Sequence, residues 1–156
     1  MTFRSLGVAA TIVLITCASA ATLRAEGRKA LLLDLNYSVP LEWTVGAAFY
    51  RSNQFWDEGG RGLFGGGRLG KHGMQAWSGW AGLGGPTNVD VRAVVTRTWE
   101  SPLGASANST YLGGEVGWSH LCRFSAGYAK RLDGPSTSHG HILTVGIGVE
   151  LPLRLW

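Results

Sequence analysis

The chain has 156 residues, a formal net charge of +4 and 24 glycines. The positive charge is too small and too scattered to indicate nucleic-acid binding, and the glycines lack the three-residue period of a collagen-like protein. A mean hydropathy of +0.07 argues against a hidden transmembrane helix, whereas membrane strands carry their hydrophobicity in alternation.

The amino terminus has the features of a cleaved signal peptide. Arg4 supplies a positive charge, Leu6–Thr16 form a short apolar run, and Ala18-Ser19-Ala20 is a small-residue cleavage site. The run is shorter than the roughly 20 residues that a membrane-spanning helix needs. We therefore expect a signal peptide at residues 1–20, with export across the inner membrane, and a short segment at residues 21–28. A retained anchor is the alternative.

The two cysteines fall on either side of this cleavage site. Only Cys122 would remain in the exported chain, so no intramolecular disulfide can form and a small domain must find its stability elsewhere. A closed β-barrel finds it by pairing every backbone group. A lipid on Cys17 is an alternative that fits poorly, because Thr16 stands where lipoprotein signals usually have Gly or Ala.

Beyond the signal peptide, apolar residues alternate with small or polar ones in seven segments, which predicts β-strands. These segments are Lys29–Ser38, Glu42–Arg51, Met74–Leu83, Asn88–Trp99, Thr110–His120, Leu121–Arg131 and His141–Trp156. Most have about the 9–11 residues of a tilted membrane strand. In the third segment Trp77 and Trp80 fall on opposite faces, so its register stays open.

An eighth strand is predicted in the glycine-rich part of the chain. Gly60–Gly70 contains Leu63, Phe64 and Leu69 among many glycines, and single-chain bacterial barrels have an even number of strands. With this strand, both ends of the domain lie on one side of the barrel, and the polar loops Ser101–Ser109 and Asp133–Gly140 share the other. The alternative is one surface loop at residues 54–73 and a sheet that is open or closed differently.

The last segment has the clearest alternation. One face carries His141, Leu143, Val145, Ile147, Val149, Leu151, Leu153 and Leu155, and the other carries mainly small or polar residues. A strand this apolar on one side is typical of a sheet whose outer face meets lipid. Four tryptophans also fall near strand ends, as in an interfacial girdle, namely Trp43, Trp99, Trp118 and Trp156.

The opposite, inward face carries charges of both signs. They are Asp34, Glu42, Asp90, Arg92, Glu115, Arg123, Arg131, Glu150 and Arg154. An eight-stranded barrel is wide enough to be filled only by its own side chains, and charges buried there must pair. We therefore expect a side-chain-filled lumen of paired carboxylates and guanidiniums. A proton relay or a catalytic acid in this lumen is the alternative.

Together, the signal peptide, the alternating strands rich in glycine and aromatic residues, and the terminal strand His141–Trp156 resemble the small bacterial outer-membrane β-barrel proteins of the eight-stranded type. The resemblance implies an all-β, antiparallel up-and-down transmembrane β-barrel over residues 29–156, in contact with outer-membrane lipid. It also implies that the barrel-assembly machinery reads the terminal strand. The oligomeric state stays open, although a closed barrel has no free edge for a second copy, which favours a monomer. One feature departs from the family: Trp156 falls on the inward parity of its strand, and Pro152 is a place where the register could shift.

Some small barrels of this family are lipid A deacylases or palmitoyltransferases that use a Ser and a His at the outer leaflet. Ser136, Ser138, His139 and His141 lie near a predicted outer loop, without the deacylase His-x-Ser-Asn arrangement. His139 and His141 share one face and form at most half of a metal site. We therefore predict no catalytic, cofactor-binding or metal site, and no enzyme.

The expected function is a structural, adhesive or surface-interaction role. If they lie at the rim, Arg61, Arg68, Lys71 and Arg97 would contact lipid phosphates; the alternative is that they are ordinary solvated charges. A lipid-modifying hydrolase or acyltransferase is one alternative. A soluble periplasmic β-barrel or sandwich that carries a ligand is another, and it would bury the faces taken here as outward.

Overall fold

The computed structural model describes residues 28–52, 61–82, 88–119, 122–135 and 140–155. These residues form eight strands: β1 (Arg28–Val39), β2 (Glu42–Ser52), β3 (Gly62–Gly70), β4 (Gly73–Ala81), β5 (Asn88–Thr98), β6 (Thr110–Ser119), β7 (Arg123–Asp133) and β8 (His141–Leu155). Each strand pairs antiparallel with the next, and β1 pairs with β8, so the sheet closes into an up-and-down barrel. The predicted all-β, antiparallel up-and-down barrel of eight strands is thereby confirmed. In this part of the chain, no helix is long and apolar enough to cross a membrane.

The glycine-rich strand β3 is the eighth strand that the even number required. It pairs with β2 from Gly62 to Gly70 and with β4 from Gly62 to Leu69, so the alternative of one loop at residues 54–73 is wrong. Its glycines let neighbouring backbones approach: a Cβ on Gly66 would meet the Ala47 carbonyl oxygen and would lie 2.9 Å from a ring carbon of Trp77. Because glycine has no side chain, a strand with so many glycines shows little alternation between apolar and polar residues, and side chains of the neighbouring strands fill the space beside it.

The register of β4 is also decided. Trp77 points into the barrel and is 2% exposed, whereas Trp80 points outward and is 42% exposed. Three residues apart on a strand, they must face opposite sides. The sequence left this register open because both rings are large and apolar, and only the pairing of Trp77 with Gly66 and Val94 selects the inward ring.

Near its end, β8 changes register against β1. Leu32 pairs with Pro152 but Leu31 pairs with Arg154, so Leu153 has no partner residue on β1. Such a bulge puts two residues of one strand opposite one of the other. It lies beside Pro152, where the sequence allowed for a shift. Trp156 and the side chain of Arg154 lie outside the described residues, so their predicted directions stay predictions.

The barrel has two distinct ends. β1 begins and β8 ends at one of them, named here the near end. At the other, the far end, lie the short turns 40–41 and 71–72 and the longer connections 99–109 and 134–140. The two long polar loops therefore share one end, as the sequence predicted.

Candidate functional site

The outer face of the barrel is apolar on every strand. Large exposed side chains there include Leu35 and Tyr37 on β1, Trp43 and Val45 on β2, Leu63 and Leu69 on β3, Trp80 on β4, Val91 on β5, Leu112, Val116 and Trp118 on β6, Phe124, Tyr128 and Leu132 on β7, and Leu143, Val145, Ile147, Leu151 and Leu153 on β8. The predicted outward faces are thus largely exposed; Val95 on β5 is an exception, with 5% exposure. Monomeric soluble proteins rarely expose a continuous apolar surface of more than a few hundred Å².

Aromatic pairs stand on this outer face toward both ends. Tyr37 and Trp43 meet edge to face with ring centroids 5.2 Å apart, beside the turn between β1 and β2. Trp118 and Phe124 stack at 5.9 Å near the opposite end, where β6 leads into β7. The apolar face is therefore bordered by aromatic side chains at each end.

A network of ion pairs fills the middle of the barrel, and Arg123 is at its centre. Its guanidinium donates two hydrogen bonds to Asp90, at 3.0 and 2.9 Å, and one to Glu115 at 2.8 Å. Arg92 donates to Asp90 at 2.7 Å and to Glu150 at 2.6 Å. Charge-assisted hydrogen bonds of this kind offset the cost of removing the ions from water. The predicted inward direction of these five side chains is confirmed.

Arg68 is the lumen residue that the sequence analysis misplaced. It was expected at the rim, but it is 3% exposed and lies between Asp34 at 3.6 Å and Glu115 at 3.7 Å. Its guanidinium carbon is 5.3 Å from the centroid of Trp77. The sequence did contain a signal for the inward direction of Arg68. Arg68 is four residues after Phe64, so on a strand the two side chains share one face, and Phe64 also points inward. The glycines between them hid the alternation.

Apolar side chains close the lumen on either side of the ionic network. Toward the near end, a buried cluster contains Ala30, Leu32, Ala48, Tyr50, Phe64, Trp77, Ala81 and Val94. Toward the far end, a smaller one contains Ala105, Tyr111, Ala129 and Ile142. These layers place the ions in a surrounding that water reaches poorly, which strengthens their mutual attraction.

A second polar cluster lies at the far end and centres on His72, which the sequence analysis did not single out. Nδ1 of His72 is 2.9 Å from Glu100 Oε2, and Nε2 is 3.0 Å from Glu42 Oε1. The prediction that Glu42 points inward is wrong: its side chain is 48% exposed, because β2 begins at this residue and its backbone has a φ of 59°. No local pattern indicates this cluster, since its members come from the start of β2, the β3–β4 turn and the β5–β6 connection.

Two further arginines belong to the far end. Arg131 was predicted to face the lumen, but its Nη1 donates to the Pro135 carbonyl oxygen at 2.6 Å and so belongs to the β7–β8 connection. Arg97 donates to Thr110 Oγ1 at 2.8 Å and lies 3.8 Å from Asp133. Both arginines are therefore engaged in linking strand ends and connections.

The residues considered for enzymatic chemistry are not brought into a site by the described structure. His141 is exposed and stacks on Tyr128, with ring centroids 5.9 Å apart, while Ser136, Ser138 and His139 lie outside the described residues. Among the residues that are described, no group of three His, Cys, Asp or Glu side chains is arranged to hold a metal ion.

The rim residues Arg61 and Lys71 are exposed at opposite ends of β3, as expected for rim positions. The site as a whole is thus an apolar belt around an ionic core, with a polar mouth at the far end.

In comparisons with known proteins, the chain matches no family model, no curated protein and no solved structure.

Proposed function

We propose that the protein is a small outer-membrane β-barrel of a Gram-negative bacterium, embedded in lipid through its apolar outer face. The observation that carries this proposal is the inversion of polarity between the two faces. Leu35, Val116 and Val145 on three separate strands are exposed, while Asp34, Arg92 and Glu115 are buried. A barrel in water would have the opposite arrangement.

The cost of exposing large apolar side chains to water favours lipid as the surrounding of the outer face. Each large apolar side chain left in water forgoes about 1.5–3 kcal/mol that burial would contribute. The soluble ligand carrier requires these side chains to form a core, but the core space inside the barrel is occupied by the ionic network and its apolar layers. The soluble alternative is therefore disfavoured.

The dimensions of the strands also suit a bilayer. They range from 9 residues in β3 to 15 in β8, against the roughly 9–11 residues that a tilted strand needs to cross the hydrocarbon. Aromatic side chains at both borders of the apolar face correspond to the interfacial girdles of transmembrane barrels. The paired backbone of a closed barrel leaves no strand edge exposed to lipid.

The filled lumen favours a structural, adhesive or surface-interaction role over transport. Ring stacks and ion pairs occupy the cross-section, with Arg92 lying 4.6 Å over the Phe64 ring and bonded to Asp90 and Glu150. An eight-stranded barrel of this kind has no width left for an aqueous channel. We infer that the far-end loops, facing the outside of the cell, carry the interactions of the protein.

Further parts of the proposal follow from the same architecture. We expect the protein to be a monomer, because a closed barrel has no free edge for a second copy. We expect its partners to be outer-membrane lipid and the barrel-assembly machinery, which would engage the terminal strand β8. Nucleic acid is not an expected partner, nor is an enzymatic reaction an expected activity.

Membrane fractionation of the expressed protein, with heated and unheated samples compared by gel electrophoresis, tests the proposal. We expect recovery in the outer membrane and a mobility that shifts on heating, because a folded barrel resists detergent until it is heated. Recovery as a soluble periplasmic species without a shift would contradict the membrane assignment and revive the ligand carrier.

A further inference from the structure

We propose that the lumen contains an internal water-binding site, formed around the guanidinium of Arg68 by polar side chains of β1, β7 and β8. Six buried side-chain atoms beside the ionic network have no hydrogen-bond partner within the described part of the chain. They are Nε and Nη1 of Arg68, Nη1 of Arg123, Oδ2 of Asp34, Oδ1 of Asn36 and Oγ1 of Thr144. Buried polar groups are normally hydrogen-bonded to protein or to ordered water, so these atoms require a further partner.

The ion pairs of Arg68 leave its guanidinium incompletely bonded. Nη1 of Arg68 lies 3.6 Å from Asp34 Oδ2, and Nη2 lies 3.7 Å from Glu115 Oε2, and both distances exceed that of a hydrogen bond. Arg123, by contrast, donates to Glu115 at 2.8 Å. Arg68 is therefore attracted by two carboxylates across distances too long for hydrogen bonds, although its guanidinium has five N–H groups to satisfy.

Asn36 extends this region of the lumen toward the far end. It follows Asp34 by two residues on the same inward face of β1, and both side chains are 2% exposed. A Cβ on Gly146 of β8 would lie 3.1 Å from Asn36 Oδ1 and 3.0 Å from Ser125 Oγ. The amide oxygen of Asn36 thus overlies a lumen position that carries no side chain, next to the carboxylate of Asp34.

Thr144 borders the region from β8. A Cβ on Gly127 of β7 would lie 2.6 Å from Thr144 Oγ1. Gly127 pairs with Glu115, the carboxylate that lies between Arg68 and Arg123. The Thr144 hydroxyl therefore lies beside the strand pair that carries Glu115, and unpartnered atoms from β1, β3, β7 and β8 surround one part of the lumen.

The two apolar layers of the lumen enclose this region. Leu32 and Trp77 belong to the layer toward the near end, and Tyr111 and Ile142 belong to the layer toward the far end. All four side chains are at most 2% exposed. Water bound between the layers is therefore trapped, and it occupies an internal site that is compatible with a filled lumen.

The chemistry of the unpartnered atoms selects water as the occupant. The guanidinium N–H groups of Arg68 and Arg123 can only donate, whereas the unpartnered oxygens of Asp34 and Asn36 accept. A water molecule does both, and in a buried polar site it typically makes about three hydrogen bonds. Water can thus bridge the donors of Arg68 to the oxygens of β1.

The charges of the lumen disfavour an ion in the same place. Carboxylates outnumber guanidiniums among the described lumen side chains, with Asp34, Asp90, Glu115 and Glu150 against Arg68, Arg92 and Arg123. An anion would add to this excess of negative charge. A cation bound to Asp34 would meet the Arg68 guanidinium, whose Nη1 lies 3.6 Å from Oδ2. This inference goes beyond the proposed function and does not depend on the solvent around the strands.

Nuclear magnetic resonance of the folded full-length protein, labelled with ¹⁵N, tests the site through cross-relaxation between water and the arginine side chains. We expect a cross peak between water and the Nε–H of Arg68, with the sign of a long-lived dipolar contact and not of chemical exchange. The Nε–H groups of Arg92 and Arg123 are internal controls, because they donate to Asp90 at 2.7 and 3.0 Å. Their cross peaks should be several-fold weaker. No peak at Arg68, or equal peaks at all three arginines, would overturn the proposal.

Two variants alter the site itself. G146A places a methyl group beside Asn36 Oδ1 and Ser125 Oγ, which are side-chain atoms and can yield, and should weaken the water–Arg68 cross peak several-fold. T144V removes an acceptor, should weaken the same peak, and serves alone if G146A does not fold. G114A is the matched control, because Gly114 is exposed and its Cβ would have ordinary contacts. A cross peak that neither variant changes would contradict the assigned position.

A titration with sodium chloride distinguishes water from an ion. We expect the Nε–H signal of Arg68 and the side-chain amide signals of Asn36 to stay unchanged as the salt concentration rises. A saturable shift of these signals would show that an ion occupies the site and would overturn the assignment to water. Since the readouts need only a folded barrel, a soluble protein would refute the membrane proposal and leave this test in force.

Discussion

Arg123 and Asp90 are joined by two hydrogen bonds inside the barrel, although they come from β7 and β5, with β6 between them. Nε of Arg123 lies 3.0 Å from Asp90 Oδ2, and Nη2 lies 2.9 Å from Oδ1. Gly117 of the intervening strand makes this pairing possible, because a Cβ there would meet both the guanidinium and the carboxylate. The bidentate geometry strengthens the ion pair, and the absence of a side chain at Gly117 leaves room for it.

Removal of Arg123 alone is expected to destabilise the barrel strongly. R123M leaves Asp90 and Glu115 buried with less compensation, and we expect a loss of about 3–5 kcal/mol in the free energy of unfolding. R123M/D90N, which neutralises the partner as well, should lose less than the sum of the two single variants. Urea unfolding of the refolded protein in micelles measures both, with D133N at the exposed rim as the control that stays near wild type. Additive losses would mean that the pair is not coupled.

A methyl group at Gly66 is expected to disturb the sheet. In G66A the Cβ would meet the backbone oxygen of Ala47 and the ring of Trp77, and backbone cannot yield as a flexible side chain does. We expect a cost of about 1–3 kcal/mol, measured by the same unfolding experiment. G114A is the matched control, because its nearest neighbour is the Arg92 carbonyl oxygen at an ordinary 3.7 Å. Equal stability of the two variants would contradict the close packing of β3.

A charge in the apolar belt is expected to impair membrane insertion. Val116 lies midway along β6 on the outer face, so V116R should cost about 2–4 kcal/mol in lipid and reduce the fraction of heat-shifted protein in the outer membrane. L103R places the same charge on an 81% exposed side chain of the β5–β6 connection and should insert like the wild type. If both variants insert equally well, the belt does not face lipid.

The indole of Trp99 is expected to anchor the far-end connections. W99F keeps an aromatic ring but removes the N–H that Lys71 accepts at 2.6 Å. We expect a loss of about 0.5–1.5 kcal/mol and faster hydrogen exchange at Lys71 and His72. W80F, an outward-facing substitution on β4, should leave the exchange of these amides unchanged. If exchange in W99F is unaltered, the backbone hydrogen bond from the Trp99 N–H to the His72 carbonyl oxygen is enough to hold the connections, and the prediction is wrong.

The strands and their faces could be predicted because alternation is a local property of the chain. β1 and β8 show it clearly, and the structure places Leu35 and Ile147 outward and Asp34 inward as predicted. Where glycines replace side chains, as in β3, alternation fades. There the strand was predicted from the rule that single-chain bacterial barrels have an even number of strands. The inward direction of Arg68 was missed.

The amino-acid sequence by itself determined the strands, the apolar face of each and the opposite charges on the other face, because each depends on the two-residue period of a strand. The closure of the sheet with these charges inside was decided by the tertiary structure. Only the tertiary structure decided which charges meet. Arg123 meets Asp90 across a glycine of the strand between them. His72 lies between Glu42 and Glu100, which are both 28 or more residues away from it along the chain. Such partners are set by the closure and register of the sheet, and no local pattern records them.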